Sequence, residues 1–221
     1  MGGFDWGVIL DNFQAVFIDG ALITLVTGFG AFTLAFCIGV VAAIARRSRV
    51  PILRWTATVY VEAFRNTPAL VALFLIYFGL AGLGLRLSNL AAGVVSLGLT
   101  AGAYMTEIIR AGLQAVPRSQ VEAAVALGLG SRQLYYHVWF PQAIRNVYLP
   151  LVNMWVNLLL GTSLLSTIGV PELTHNALVL YLDTFRPFEP FIAMTLIYLI
   201  LTWLSGRSLS VLERRMFSDR G

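Results

Sequence analysis

The stretch SQVEAAVALGLGSRQLYYHVWFPQA, residues 119–143, is polar and glycine-punctuated, and it interrupts a chain otherwise built from long apolar runs. Its spacing predicts a helix-turn-helix. Ser119 and Glu122 have capping-box spacing, in which the hydroxyl accepts from a first-turn N–H while the carboxylate reaches back. A short helix, VEAAVAL, follows from the strong helix preference of Ala and Leu, and Gly128 with Gly130 ends it in a tight turn. Ser131 then caps a second short helix, RQLYYHVWF, closed by Pro141. Helices this short do not hold their shape alone in water, so something must pack on them. A lipid surface suits Tyr135, Tyr136 and Trp139; a protein partner fits equally well, and the local residues do not separate the two.

The flanking sequence decides where this element sits. The 221-residue chain is 58% hydrophobic and 12% charged, with mean hydropathy +0.79, against roughly a quarter charged in ordinary globular domains. It reads as an integral membrane protein. No stretch is polar for long enough to build a separate soluble core, so residues 1–221 are expected to form one transmembrane domain. The single cysteine, Cys37, excludes an internal disulfide and a Cys-based metal site, and is expected to pack between helices. The N-terminal residues carry Asp5 and Asp11 without a basic region, unlike a cleavable signal peptide.

A spanning helix needs about 20 mostly apolar residues, and five segments qualify, near 16–45, 56–83, 89–112, 146–170 and 188–209. The expected fold class is therefore an all-α membrane protein of about five transmembrane helices, with the quoted element in a connection at about 113–145. All fifteen basic residues are Arg. Arg46, Arg47, Arg49 and Arg54, then Arg110, Arg118, Arg132 and Arg145, then Arg207, Arg214, Arg215 and Arg220 fall on one side, against Arg86 and Arg186 on the other. Because basic loops are retained in the cytoplasm, the N-terminus is expected outside and the C-terminus, with the helix-turn-helix, inside. The net charge of +4 is thus a topology signal, and nothing resembles a nucleic-acid surface.

Ionisable groups within spans usually face a cavity or a partner. Glu62 and Arg65 are spaced to pair on one helix face, as are Glu107 and Arg110; a self-neutralising pair and a role in a transport path both fit the first. Asn153, Asn157, Thr162, Ser163 and Ser166 place amides and hydroxyls along the fourth span, where such groups either join helices or line a path. Pro68, preceded by Thr67, predicts a kink in the second span that frees backbone carbonyls. His137 and His175 lack a second histidine at ligand spacing, so no metal site is expected.

The run from Ser119 to Pro150 resembles the EAA loop of ABC importer permeases: Glu122, Ala123 and Ala124, then Gly128, then Pro141 and Pro150. FRNTPAL (64–70), AYMTEIIRAGLQAVPRSQ (103–120) and TSLLSTIGVPEL (162–173) resemble further elements of its polar amino acid subfamily, so the likeness covers nearly the whole chain. Membership implies the type I importer permease fold. It makes the loop a coupling helix, through Ser119, Gln120, Glu122, Ala123, Ala124 and Gly128, that docks on a cytoplasmic ABC ATPase dimer. It also implies a second permease chain, identical or homologous, an extracytoplasmic solute-binding protein, an amino acid substrate, and residence in the lipid of a bacterial inner membrane. The chain itself would be no enzyme and hold no cofactor: it has no G-x-x-x-x-G-K-[ST] loop, and ATP with Mg would bind the ATPase. Glu62, Arg65, Thr67, Tyr104, Glu107, Asn157, Thr162 and Ser163 are the expected substrate-path residues. Two departures stand out: Asn66 replaces a frequent Gly, and Leu160 with Gly161 replaces Lys and a polar residue before Thr162.

Two other classes compete. An ion-coupled secondary transporter would use Glu62 and Glu107 as carriers, but five spans show no inverted repeat. An intramembrane hydrolase would need a Ser–His pair or H-E-x-x-H, and Pro171 separates Ser166 from His175.

Overall fold

The computed structural model describes residues 4–217, and Arg220, counted above, lies outside the described residues. Those residues form helices and connecting turns, with no strand among them. They are α1 (Trp6–Asp11), α2 (Phe13–Arg46), α3 (Pro51–Arg65), α4 (Ala69–Gly82), α5 (Asn89–Gln114), α6 (Arg118–Ala126), α7 (Ser131–Ile168), α8 (Leu173–Thr184) and α9 (Phe188–Phe217). Helices α2, α5, α7 and α9 are long and apolar enough to cross a membrane, and the bent pair α3 and α4 supplies a fifth candidate.

The kink expected in the second span is a full break, with α3 and α4 meeting at 113°. Pro68 has no N–H and forces extended backbone on its neighbourhood. Asn66 N–H closes the last turn on the Glu62 carbonyl at 3.2 Å, and the Thr67 hydroxyl donates to the Ala63 carbonyl at 2.8 Å.

The core is the crossing of α2 and α5, lined by Ala31, Ala35, Ala92 and Ala101. Lipid tails are as apolar as leucine, so close van der Waals contact between small residues must hold membrane helices together. Gly98 lies against Leu34 and Gly102 against the Tyr60 hydroxyl, at distances a Cβ would reduce to 2.7 and 2.8 Å. The Tyr60 hydroxyl itself donates to the Leu99 carbonyl at 2.6 Å and ties α3 to this crossing.

Three local expectations give way. The second half of the quoted stretch is no separate helix, because α7 runs unbroken from Ser131 past Pro141. A wide, π-type turn at Tyr135–Trp139 precedes the proline, and such a turn accommodates a residue that cannot donate to the carbonyl four positions back. Ser131 does not cap it; Gly130 does, its N–H donating to Gln133 Oε1 at 3.1 Å. Cys37 faces outward from α2 rather than packing between helices.

Helices α1 and α8 were not anticipated, being short and lying outside the apolar runs. They join α9 around Phe17, Leu173, Leu180 and Tyr198 at the end of the molecule remote from α6. At that end α7 tightens into a 3₁₀ segment, Thr162–Ile168, and stops at Gly169 with φ 74°. Asn89 joins the stop to its neighbours by donating to the Ile168 carbonyl at 2.7 Å and accepting from the Tyr77 hydroxyl at 2.9 Å.

Candidate functional site

Thr100, Tyr104, Glu107 and Ala111 recur at helical spacing and share one face of α5. Helix α7 runs antiparallel against that face, and two cavities lie between them. The first, of about 220 Å³, includes Thr100, Tyr104, Met154, Asn157 and Gly161 in its wall, with Ala69 at the start of α4. The second, of about 460 Å³, includes Arg65, Tyr104, Glu107, Asn146, Pro150 and Met154 and extends down to Ala115, near the start of α6. Pro150 cannot donate to the Asn146 carbonyl, so both ends of that missing helical bond lie at the cavity wall. The Thr100 hydroxyl is buried with no hydrogen-bond partner among the described residues.

Of the expected path residues, Arg65, Tyr104, Glu107 and Asn157 come together here. Arg65 does not pair with Glu62. Its guanidinium lies over the Tyr104 ring, 5.6 Å from the centroid, in a cation–π contact, and the Tyr104 hydroxyl donates to the Arg65 carbonyl at 3.2 Å. That carbonyl ends α3 and has no successor turn to serve, so the ring of α5 closes the broken span. Glu62 instead accepts from Asn66 Nδ2 at 3.3 Å. Glu107 is held on both sides: Oε1 by Arg46 of α2, Oε2 by Arg110 at 2.6 Å, with Arg110 also donating to Gln114 Oε1 at 2.9 Å. The expected Glu107–Arg110 pair is therefore one half of a bridge between the ends of α2 and α5. Glu62, Thr67, Thr162 and Ser163 line neither cavity. Thr162 is fully buried and donates to the Leu159 carbonyl at 2.7 Å, and Ser163 donates to Leu160 at 2.7 Å. Thr100 and Met154 were missed, although the period of Thr100, Tyr104 and Glu107 along α5 was readable.

The loop helix presents a second candidate surface. Ser119, Gln120, Glu122 and Ala123 are exposed on α6, Ala124 is buried, and Val125 and Leu127 are 58% and 81% exposed. The capping box does not form, because α6 starts two residues early at Arg118 after extended Pro117, leaving Ser119 and Glu122 both inside the helix. The C-terminus follows expectation. Leu129 N–H donates to the Ala124 carbonyl and Gly128 N–H to Val125, with Gly128 at φ 80°, the left-handed closure that favours glycine.

At the remote end, Glu172 is fully buried and caps α8. It accepts from Thr174 N–H at 3.0 Å, His175 N–H at 2.8 Å and the Tyr198 hydroxyl at 2.8 Å. Burial pushes its carboxyl above the ordinary value, and those donors oppose the rise. A carboxylate whose folded pKa is raised stabilises the fold less as pH climbs from its unfolded value through the raised one. Glu172→Ala removes a cap worth about 1 kcal/mol and one hydrogen bond of the buried Tyr198 hydroxyl, which keeps its contact to the Thr174 hydroxyl at 3.0 Å. We expect its melting temperature in detergent to fall by several degrees at pH 5, with the deficit narrowing toward pH 8.

No group of three or more potential metal ligands exists among the described residues.

Residues 35–218 match the family described as binding-protein-dependent transport system inner membrane component. The chain is 36% identical over 209 residues to the probable glutamine ABC transporter permease protein GlnM of Bacillus subtilis, covering 95% of this chain and 96% of that one. It is 33% identical to the probable amino-acid permease protein YxeN of the same organism, covering 98% and 97%. Among solved structures, an amino acid ABC transporter crystallised with histidines superposes with TM-score 0.89 at 36% identity, covering 97% of this chain and all of that one. The MetNI methionine transporter, at 20% identity and TM-score 0.67, shares the fold. Helices α2 to α9, broken second span included, are the helices of an ABC permease, and the chain belongs to the binding-protein-dependent transport system inner membrane components.

Proposed function

We propose that this chain is the translocation subunit of an ATP-driven importer that carries a polar amino acid, of the class named for its glutamine-permease relatives, across the inner membrane. It pairs with a second permease chain, receives the amino acid from an extracytoplasmic binding protein, and is driven by a cytoplasmic ATPase dimer seated on Ser119, Gln120, Glu122, Ala123 and Gly128. The N-terminus lies outside and the C-terminus in the cytoplasm. Catalysis and nucleotide binding belong to the ATPase.

The observation that carries this reading is the stacking of two partly polar cavities along α5, the second of which ends at Ala115, three residues before α6 begins. Path and drive element thus share one helix end. The carboxylate of a zwitterion needs a fixed cation in such a setting, and Arg65 has no carboxylate partner among the described residues. Reconstituted with its ATPase and binding protein, the complex should hydrolyse ATP faster with one or a few polar amino acids and import those same compounds. A complex that responds to none of the common amino acids overturns the reading.

A further inference from the structure

Resting on the reading of the two cavities as one path, we propose that Tyr104 and Met154 form a movable septum that separates the cavities, and that the broken end of α3 holds it shut. These two residues line both cavities and no other residue does. Everything else in the walls sorts to one side: Thr100, Asn157 and Gly161 toward the α8 end, Glu107, Asn146 and Ala115 toward the α6 end. Thr100 lies one helical turn from Tyr104, about 6 Å along α5, so the septum is a single layer of side chains.

The layer differs in kind on its two sides of the path. Met154, on α7 one turn beyond Pro150, is unbranched and changes rotamer at little cost. Tyr104 is 41% exposed, so packing does not lock its ring. Its position is set by two contacts to a single residue, the hydroxyl to the Arg65 carbonyl and the guanidinium over the ring. Arg65 is the last residue of α3, beside the 113° break at Asn66 to Pro68. Any change in that bend moves the carbonyl and guanidinium together and releases the ring. The septum therefore opens with a change in the angle between α3 and α4 and needs no rearrangement of the α2–α5 core. It also places Arg65 to meet a passing carboxylate when the ring leaves it.

Cysteine accessibility tests this without knowing the substrate. In a Cys37→Ser background, which removes the only native cysteine, Thr100→Cys reports the first cavity and Ala111→Cys the second. Each is assembled with the ATPase in membrane vesicles, without nucleotide. A membrane-impermeant methanethiosulfonate is then applied from the α6 side. Ala111→Cys should label fast in every variant. Thr100→Cys should label slowly with Tyr104 intact and roughly tenfold faster with Tyr104→Ala or Met154→Ala, as for a constriction removed from a pore. Tyr104→Phe keeps the ring, loses the bond to Arg65, and should fall between. Co-purification with the ATPase identifies any variant that fails to assemble, and Tyr104→Phe then carries the test. Equal labelling of Thr100→Cys with and without the ring, or labelling as fast as Ala111→Cys in the parent, overturns the septum. Failure of every amino acid to stimulate ATP hydrolysis, with the labelling pattern intact, would overturn the assigned substrate class and leave the septum standing.

Discussion

Gly39→Leu should prevent stable assembly of the membrane domain. A Cβ at this position of α2 would lie 2.5 Å from Met105 Cγ, 2.7 Å from Met105 Cβ and 3.2 Å from the Met105 carbonyl carbon. The tip of a methionine can move aside, but its Cβ and backbone cannot. Met105 is fully buried, so the remaining relief is to push α2 and α5 apart. That pushes open the alanine-lined crossing along its length and loosens contacts that nothing else replaces in lipid. Overpacking of this kind costs about 1–3 kcal/mol before any helix separates, and on the order of 10 °C of melting temperature at about 2–4 °C per kcal/mol. Thermal unfolding in detergent, followed by size-exclusion profile, measures it. Gly82→Leu, where nothing lies within 4 Å of the added Cβ, should melt like the parent. Equal melting for Gly39→Leu and Gly82→Leu would show that the two helices do not cross at Met105.

Span-level organisation was readable because it rests on runs of apolar residues that need only length: four of the five expected spans appear as single long helices, α2 and α5 with ends within three residues of those expected, while α7 begins fifteen residues earlier and α9 runs eight residues further. The break in the second span was also readable, since Pro68 is a local cause; its size was not, because 113° reflects how α4 packs on α5 and not the proline alone. What failed were expectations drawn from side-chain spacing. Glu62 and Arg65 have the same i, i+3 spacing as Glu107 and Arg110, yet only the second pair forms. The difference lies largely in neighbours that no local pattern contains: Tyr104 from α5 offers Arg65 a ring and Arg46 arrives from α2 to reinforce Glu107, while Asn66, one turn on, offers Glu62 an amide. The Ser119 capping box failed because Pro117 starts the helix two residues early. The expected closure of the second short helix at Pro141 failed because a π-type turn, which carries α7 through the proline, has no clear sequence signal. Glu172 and α8 escaped notice because a buried cap depends on a partner, Tyr198, from another helix.

Gly128→Val should cut import by about tenfold or more, which corresponds to about 1.4 kcal/mol of lost coupling, while the protein still inserts and melts within a few degrees of the parent. Gly128 lies at φ 80° with open space around its Cα, so a valine there meets no clash. The cost is conformational. A left-handed residue with a Cβ is strained by roughly 1–2 kcal/mol, more for a β-branched one, and the closure of α6 on the Ala124 and Val125 carbonyls opens. The exposed row of Ser119, Gln120, Glu122 and Ala123 then loses its fixed orientation at the ATPase surface proposed here. Gly128→Asn, which tolerates this region, should retain most of the activity. Glu122→Ala makes the complementary case. Glu122 is exposed and caps nothing, so its removal should leave melting unchanged, and any loss of import must come from contact with the ATPase. The readouts are uptake, substrate-stimulated ATP hydrolysis and co-purification with the ATPase, compared at equal amounts of inserted protein. Normal uptake and normal stimulation in both Gly128→Val and Glu122→Ala would remove α6 from the coupling path and leave the drive to enter elsewhere on the cytoplasmic face.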